Sequence, residues 1–410
     1  MPETEPQITL ATSEPDNYIS CAGSSASQKR RLGYRGYDAG LSNHKMSMDI
    51  GVALAYLDRR QLVPYGFSAP WRATRSRVTP ERARPIQSLF DLFDVPVPID
   101  LSHLDDASPP PGMMCRWGPL YEAVFHLSKT EDLQSDERFQ SFRNGRPRIV
   151  TLDNETRRAS DVVIDAETLT NYEHFFYLDD RATCDLAAVM GRIRPRAAYR
   201  DLARSFAEAV GRFNAVHIRR GDFVTGSYTP RSGSVSCEEI ARNLGEVFDR
   251  DTPLCLCTDA EELSFFEPLF RTFPRTFLLE RELLSTPDWR RRFDELPFND
   301  DHAFSVLVQQ VASLAETFVG TLLSSFTSEI QRSRGFSGDR RFLYCYNDWP
   351  QHPGIVFERC EFAATQTGPY TWNQIPYPVE ARAYSWLRVW PEAFGNLHVD
   401  EPAIAVIDNQ

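Results

Sequence analysis

Val216-His217-Ile218-Arg219-Arg220-Gly221-Asp222-Phe223 runs from a short apolar strand, Asn214–Ile218, into a cluster of charge. The polar residues gather where that strand ends, and open α/β sheets bind their ligands at the carboxyl ends of strands. Toward the C-terminus, apolar runs recur at Leu254–Cys257, Thr276–Leu279, Phe318–Gly320 and Phe342–Tyr346. Helical segments fall between them, from Ala260, at His302–Ala315 and at Ser325–Arg334. Alternating strand and helix predict a doubly wound parallel sheet.

The N-terminal direction gives a second half of the same kind. Tyr18–Cys21 reads as a strand, Ala22–Ser42 as a long Gly/Ser/Arg loop, and Gln61–Phe67 as the next strand. Between loop and strand, Met46, Ile50, Ala53, Leu54 and Leu57 recur at helical spacing and predict a helix over Asn43–Asp58. A further helix is expected near Ile86–Phe93, and strands at Arg148–Leu152 and His174–Leu178. Ala187–Arg212 reads as helical with an interruption at Pro195. The fold class expected is therefore α/β, with two Rossmann-like domains facing across a cleft, the GT-B architecture. The boundaries expected are residues 1–195, 196–348, and a tail over 349–410 that returns to the first domain.

Two stretches carry chemistry. At the first, the Arg219 guanidinium would fork onto a pyrophosphate and offset charge developing on a leaving diphosphate. Asp222 would orient an arginine or bind a hydroxyl; a structural strand-end ion pair is the plainer use of the same residues. The second stretch is Phe318-Val319-Gly320-Thr321-Leu322-Leu323-Ser324-Ser325-Phe326-Thr327. Strand, small-residue turn and helix start follow one another. The amides of Ser325, Phe326 and Thr327 at the helix N-terminus, with the Ser324 and Ser325 hydroxyls, suit an anion. An ordinary serine N-cap is the commoner role for such a serine. Two anion-suited strand ends in one half-sheet make the functional reading the stronger one.

These motifs, in this order and about a hundred residues apart, resemble the protein O-fucosyltransferases and their relatives. Gly40-Leu41-Ser42-Asn43-His44-Lys45-Met46-Ser47 is similar to that family's first loop–helix motif. The resemblance spans roughly residues 18 to 345. It implies an inverting, metal-independent hexosyl transfer, most simply of L-fucose from GDP-fucose to a hydroxyl acceptor. It implies no cofactor beyond that donor. Arg219 would hold the β-phosphate side, His217 would support the nucleotide or ribose, and Asp222 would order the loop. Ser324, Ser325 and Thr327 would bind phosphate, and Phe326 would pack by the nucleotide. Asn43 and Lys45 would reach the donor from the first domain.

Three departures from the family pattern follow. Lys45 stands where the family often has arginine, keeping the charge but losing the fork. Val308 stands where an aspartate reads the base, so Asp259 or Asp301 would have to substitute. Gly40 lies where one branch carries a glutamate base, leaving Asp38 as the nearest carboxylate. A donor other than GDP-fucose and a catalytically inactive binding protein are the alternatives these departures motivate.

Composition narrows the classes further. The 410 residues carry a formal charge of −12, the wrong sign for a nucleic-acid binder. The 45 basic residues include only three lysines, Lys29, Lys45 and Lys129, a bias that codon usage explains. The eight cysteines form no C-x-x-C pair, so a zinc knuckle is not expected. Cys255 and Cys257 read as strand packing. The one D-x-D, Asp249-Arg250-Asp251, precedes a strand and reads as a solvated turn rather than a metal motif. An acidic, polar start without an apolar leader and the lack of a long apolar run predict a cytoplasmic chain without a membrane span. The acceptor is open between protein Ser/Thr, a glycan and a small molecule.

Overall fold

The computed structural model describes residues 30–35, 40–57, 59–65, 86–92, 94–104, 106, 114–115, 161–165, 189–225, 235–321, 324–337, 342–344, 358–360, 371–372 and 375–376. The expected strands at Tyr18–Cys21, Arg148–Leu152 and His174–Leu178 lie outside these residues, as does most of the tail.

The N-terminal half begins with β1 (Arg31–Arg35), α1 (Leu41–Leu57) and β2 (Gln61–Tyr65). A 3-10 turn at Ile86–Leu89 leads into β3 (Phe90–Asp91), where a longer helix was expected. Then come β4 (Met114–Cys115), β5 (Asp161–Asp165) and β6 (Arg194–Pro195). Strands β2, β1, β5 and β4 lie side by side in that order, all parallel. β1 falls inside the stretch read as a loop. Its sequence, RLGYR, shows little apolar signal because both ends are arginine. Asp161 of the neighbouring strand supplies the missing stability: it accepts from the Arg31 backbone N–H at 3.0 Å and from its guanidinium at 2.9 Å.

The C-terminal half starts with α2 (Ala197–Val210), which follows Pro195 as expected. Tyr199, Leu202, Ala203 and Phe206 form its buried stripe, and it packs on the helix Asp301–Ser313. Next are β7 (Asn214–Ile218), α3 (Gly221–Thr225), α4 (Cys237–Leu244) and β8 (Leu254–Thr258). α5 (Glu267–Thr272), β9 (Thr276–Leu278), α6 (Leu279–Ser285) and α7 (Pro287–Asp294) follow. α8 (Asp301–Ser313), β10 (Phe318–Val319) and α9 (Ser325–Phe336) complete the unit. The sheet order is β10-β7-β8-β9, again all parallel. Two short antiparallel pairs lie beyond it: β11 (Phe342–Tyr344) with β12 (Glu358–Cys360), and Thr371–Trp372 with Ile375–Pro376. The protein is thus α/β with two parallel sheets. No helix among the described residues is long and apolar enough to cross a membrane.

α1 sits between the halves. It packs on β1, β2 and α9, and is buried around almost its whole circumference rather than along one stripe. Gly51 permits the close approach to β1, since a Cβ there would meet the Tyr34 ring at 3.0 Å. The polar residues of α1 are therefore interior and must find partners there. Lys45 Nζ meets Asp49 at 2.6 Å and lies 5.2 Å from the Phe90 ring centroid. Across the seam on α9, Arg332 pairs with Glu329. Burial pushes the Asp49 carboxyl up, against the pull of Lys45. For Glu329 burial is again the largest influence, but Arg332 and Lys45 together outweigh it and hold the group below its usual range. The seam thus holds two cations and two anions of zero net charge. Ser42 of α1 also accepts from Gln309 of α8 at 2.9 Å. A single apolar core runs through this seam, joining Met46 and Ile50 to Phe304 and Val308.

Candidate functional site

The chain makes β7, β8 and β9 in sequence and then returns to lay β10 on the far side of β7. Strand order reverses there, and open α/β sheets bind their ligands beyond the carboxyl ends of the strands at such a point. Both motifs picked out in the sequence end there.

Two threonines weld the strand ends together. Thr321 Oγ1 donates to the His217 carbonyl at 3.0 Å and accepts from the Arg219 N–H at 2.9 Å. Thr327 Oγ1 accepts from the Thr321 N–H at 3.1 Å and lies 2.8 Å from His217 Nδ1. The turn that makes this possible needs Gly320, because a Cβ there would stand 2.1 Å from Thr327 Cγ2. Gly320→Ala is expected to destabilise the fold by about 1–3 kcal/mol through overpacking. Urea unfolding measures it, and an unchanged midpoint would contradict this account of the turn.

His217 is buried and stacks beside Phe326, ring centroids 4.8 Å apart and 35° from parallel. Burial and then the neighbouring Arg219 push its pKa down to about 3, so the imidazole is neutral at physiological pH. Arg219 is partly exposed, 5.1 Å from the Phe223 ring centroid and 3.9 Å from Asp259. Asp259, at the end of β8, orders the loop that carries Arg219 and Arg220. It accepts from the Arg220 N–H at 2.6 Å and the Gly221 N–H at 3.2 Å. Gly221 is required beside it, as a Cβ would come within 2.7 Å of the carboxylate. Asp259 therefore shapes the arginine loop, a role its distance in sequence hid. The Asp222 side chain lies outside the described residues, as does Asp38.

At the mouth of α9, Ser324 holds the N-cap position in extended conformation, yet its hydroxyl caps nothing. That oxygen is buried and has no hydrogen-bond partner among the described residues. An N-cap serine ordinarily accepts from the second or third helical N–H. Here the hydroxyl is unspent, and the first amides of the helix have no intrahelical acceptor. Ser325 and Phe326 are half-buried at the same end. The Thr327 hydroxyl faces inward, to His217 and Thr321.

The first-domain residues divide. Asn43, half-buried in the first turn of α1, makes no side-chain hydrogen bond among the described residues. Lys45, expected at the donor, is held by Asp49 in the α1–α9 seam. Val308 is core, and Asp301 lies in the first turn of α8, next to the Asp300 cap that accepts from the Ala303 N–H. Cys255 and Cys257 are buried free thiols, as expected. Asp249 folds its carboxylate onto the Asp251 N–H and the Thr252 hydroxyl, a self-contained turn before β8.

No protein-family model matches the chain, and no curated protein matches it either. Solved structures overlap it in shape. The NodZ α-1,6-fucosyltransferase soaked with GDP-fucose shares 15% identity, covering 81% of this chain and 99% of its own, at a TM-score of 0.45. The fucosyltransferase NodZ from Bradyrhizobium gives 13%, 82%, 99% and 0.46. POFUT1 in complex with GDP gives 12%, 76%, 97% and 0.44. At this level the chemistry must be read from the residues of the site itself.

Proposed function

We propose that this protein is a glycosyltransferase of the GT-B type whose donor diphosphate docks at the carboxyl ends of β7 and β10. The observation that carries the reading is the buried, unpartnered Ser324 hydroxyl at the N-terminus of α9. A buried hydroxyl left without a bond is costly, so the site suits a ligand that supplies oxygen acceptors. Arg219 stands at the adjacent strand end with its guanidinium partly open to solvent. A helix N-terminus and an arginine together would stabilise the negative charge that builds on a departing diphosphate. That division of labour supports inverting, metal-independent transfer with early C–O cleavage. GDP-fucose is the donor favoured by the motif resemblance, and a hydroxyl group is the acceptor.

Val308 favours a second reading of the donor. It is packed in the core where a base-reading carboxylate would be expected, so a nucleotide other than guanine is the specific competitor. Thermal shift against GDP, UDP, ADP, CMP and dTDP, each with and without EDTA, separates the two. A ligand of the native state at a hundredfold excess over its Kd stabilises by about 2.7 kcal/mol. Selective stabilisation by GDP that survives EDTA is the expected result. Selectivity for another nucleotide would change the donor, and no shift with any would overturn the reading.

A further inference from the structure

We propose that Thr327 is a positioning residue that fixes His217 in the Nε2–H tautomer, so that Nε2 donates a hydrogen bond to an oxygen of the bound donor. This deepens the nucleotide-sugar reading and rests on it for the identity of the ligand.

Counting protons decides the tautomer. A threonine hydroxyl has one hydrogen and accepts through its lone pairs. Thr327 Oγ1 already accepts from the Thr321 N–H at 3.1 Å. Its only other partner among the described residues is His217 Nδ1 at 2.8 Å. Thr327 is 1% exposed, so water is not a ready acceptor for its hydrogen. If Nδ1 carried the proton, the hydroxyl would receive two donors and its own hydrogen would be buried without an acceptor. Such a group carries the full cost of desolvation. If the hydroxyl donates instead, every group in the chain Thr321 N–H, Thr327 O–H, His217 Nδ1 is satisfied. Nδ1 is then bare, and in a neutral ring the proton must sit on Nε2.

The ring is neutral for separate reasons, its burial and the adjacent Arg219. It is also held in place: Thr321 fixes its backbone carbonyl and Phe326 lies against its face. Nε2 makes no hydrogen bond among the described residues. It is therefore a pre-oriented neutral donor at the strand end that also bears Arg219. Phosphate oxygens and ribose hydroxyls both accept such a bond. A neutral donor here adds directionality without a second charge beside the arginine.

The first test uses the ligand-free wild-type protein, labelled with ¹⁵N in histidine, with the His217 signals assigned by their loss in His217→Gln. Long-range ¹H–¹⁵N correlation is expected to show a bare Nδ1 and a protonated Nε2. A protonated Nδ1 would overturn the positioning role without touching the nucleotide reading, and this measurement needs no Thr327 variant to fold. The second test is GDP affinity. Thr327→Val keeps the shape and loses the hydroxyl; it should mix the tautomers and weaken GDP about tenfold, the worth of one net hydrogen bond. Thr327→Ser keeps the hydroxyl and should restore both the wild-type ¹⁵N pattern and affinity to within about twofold of wild type, well inside the scatter of one weak contact. Unchanged affinity in a folded Thr327→Val, or a serine variant as weak as the valine one, would overturn the proposal. A wild-type protein with the expected tautomer that binds none of GDP, UDP, ADP, CMP and dTDP would instead overturn the nucleotide reading and, with it, the role given to Nε2.

Discussion

Arg219→Ala is expected to cut donor turnover about 10²–10³-fold, the usual loss when one preorganised charge-stabilising group is removed. The fold should survive. The Arg219 backbone N–H is bonded to Thr321, and alanine keeps that bond. The side chain is partly exposed, and its contact with Asp259 is a loose 3.9 Å. A solvent-screened pair of this kind is worth about 0–1 kcal/mol. Turnover and melting temperature should therefore separate: the first collapses while the second hardly moves. Arg219→Lys restores charge but not the planar fork, and should recover only part of the loss. Turnover within a few-fold of wild type in a folded alanine variant would remove Arg219 from the chemistry.

The largest stability effect is expected at the α1–α9 seam. Arg332→Met leaves Glu329 buried without its nearest counter-ion, and should cost about 3–5 kcal/mol. Against a total stability of about 5–15 kcal/mol, that is a large fraction. The sign of the pH dependence follows from the same charges. In the wild type Glu329 is held below its usual range, so its contribution is present above that range and is lost as pH falls. Without Arg332, burial dominates and raises the group, so the folded variant loses stability as pH rises. The deficit should then be larger at pH 8 than at pH 5. Removing both partners, with Glu329→Leu and Arg332→Met together, leaves the neutral Lys45–Asp49 pair intact and should recover much of the loss. Denaturant unfolding at the two pH values checks this; equal deficits for single and double variants would show that the packing of Arg332, not its charge, matters.

The readable part of the sequence was the C-terminal half. Leu254–Cys257 is apolar throughout and Asn214–Ile218 is buried at every position, because a central parallel strand is covered on both faces, and such runs stand out. Helix α8 was expected over His302–Ala315 and spans Asp301–Ser313. β1 and β5 were not expected. Their ends are arginine and aspartate, and the Arg31–Asp161 pair is made across strands 130 positions apart, which no local window sees. α1 was placed correctly as a helix but its surroundings were not. A buried lysine and a surface lysine look alike in sequence, and only the seam with α9 gives Lys45 and Asp49 their interior setting.

The sequence by itself determined which residues end up at strand carboxyl ends, since strand boundaries are set by local apolar runs and the polar residues that stop them. It therefore named His217, Arg219 and Ser324 as candidate site residues. Tertiary structure decided what each does. The return of the chain that places β10 beside β7 brings Thr321 and Thr327 onto His217, about a hundred positions away. The meeting of β7 and β8 hands the arginine loop to Asp259. Hydrogen bonds are directional and short, so these roles exist only once the sheet has fixed which strand lies next to which.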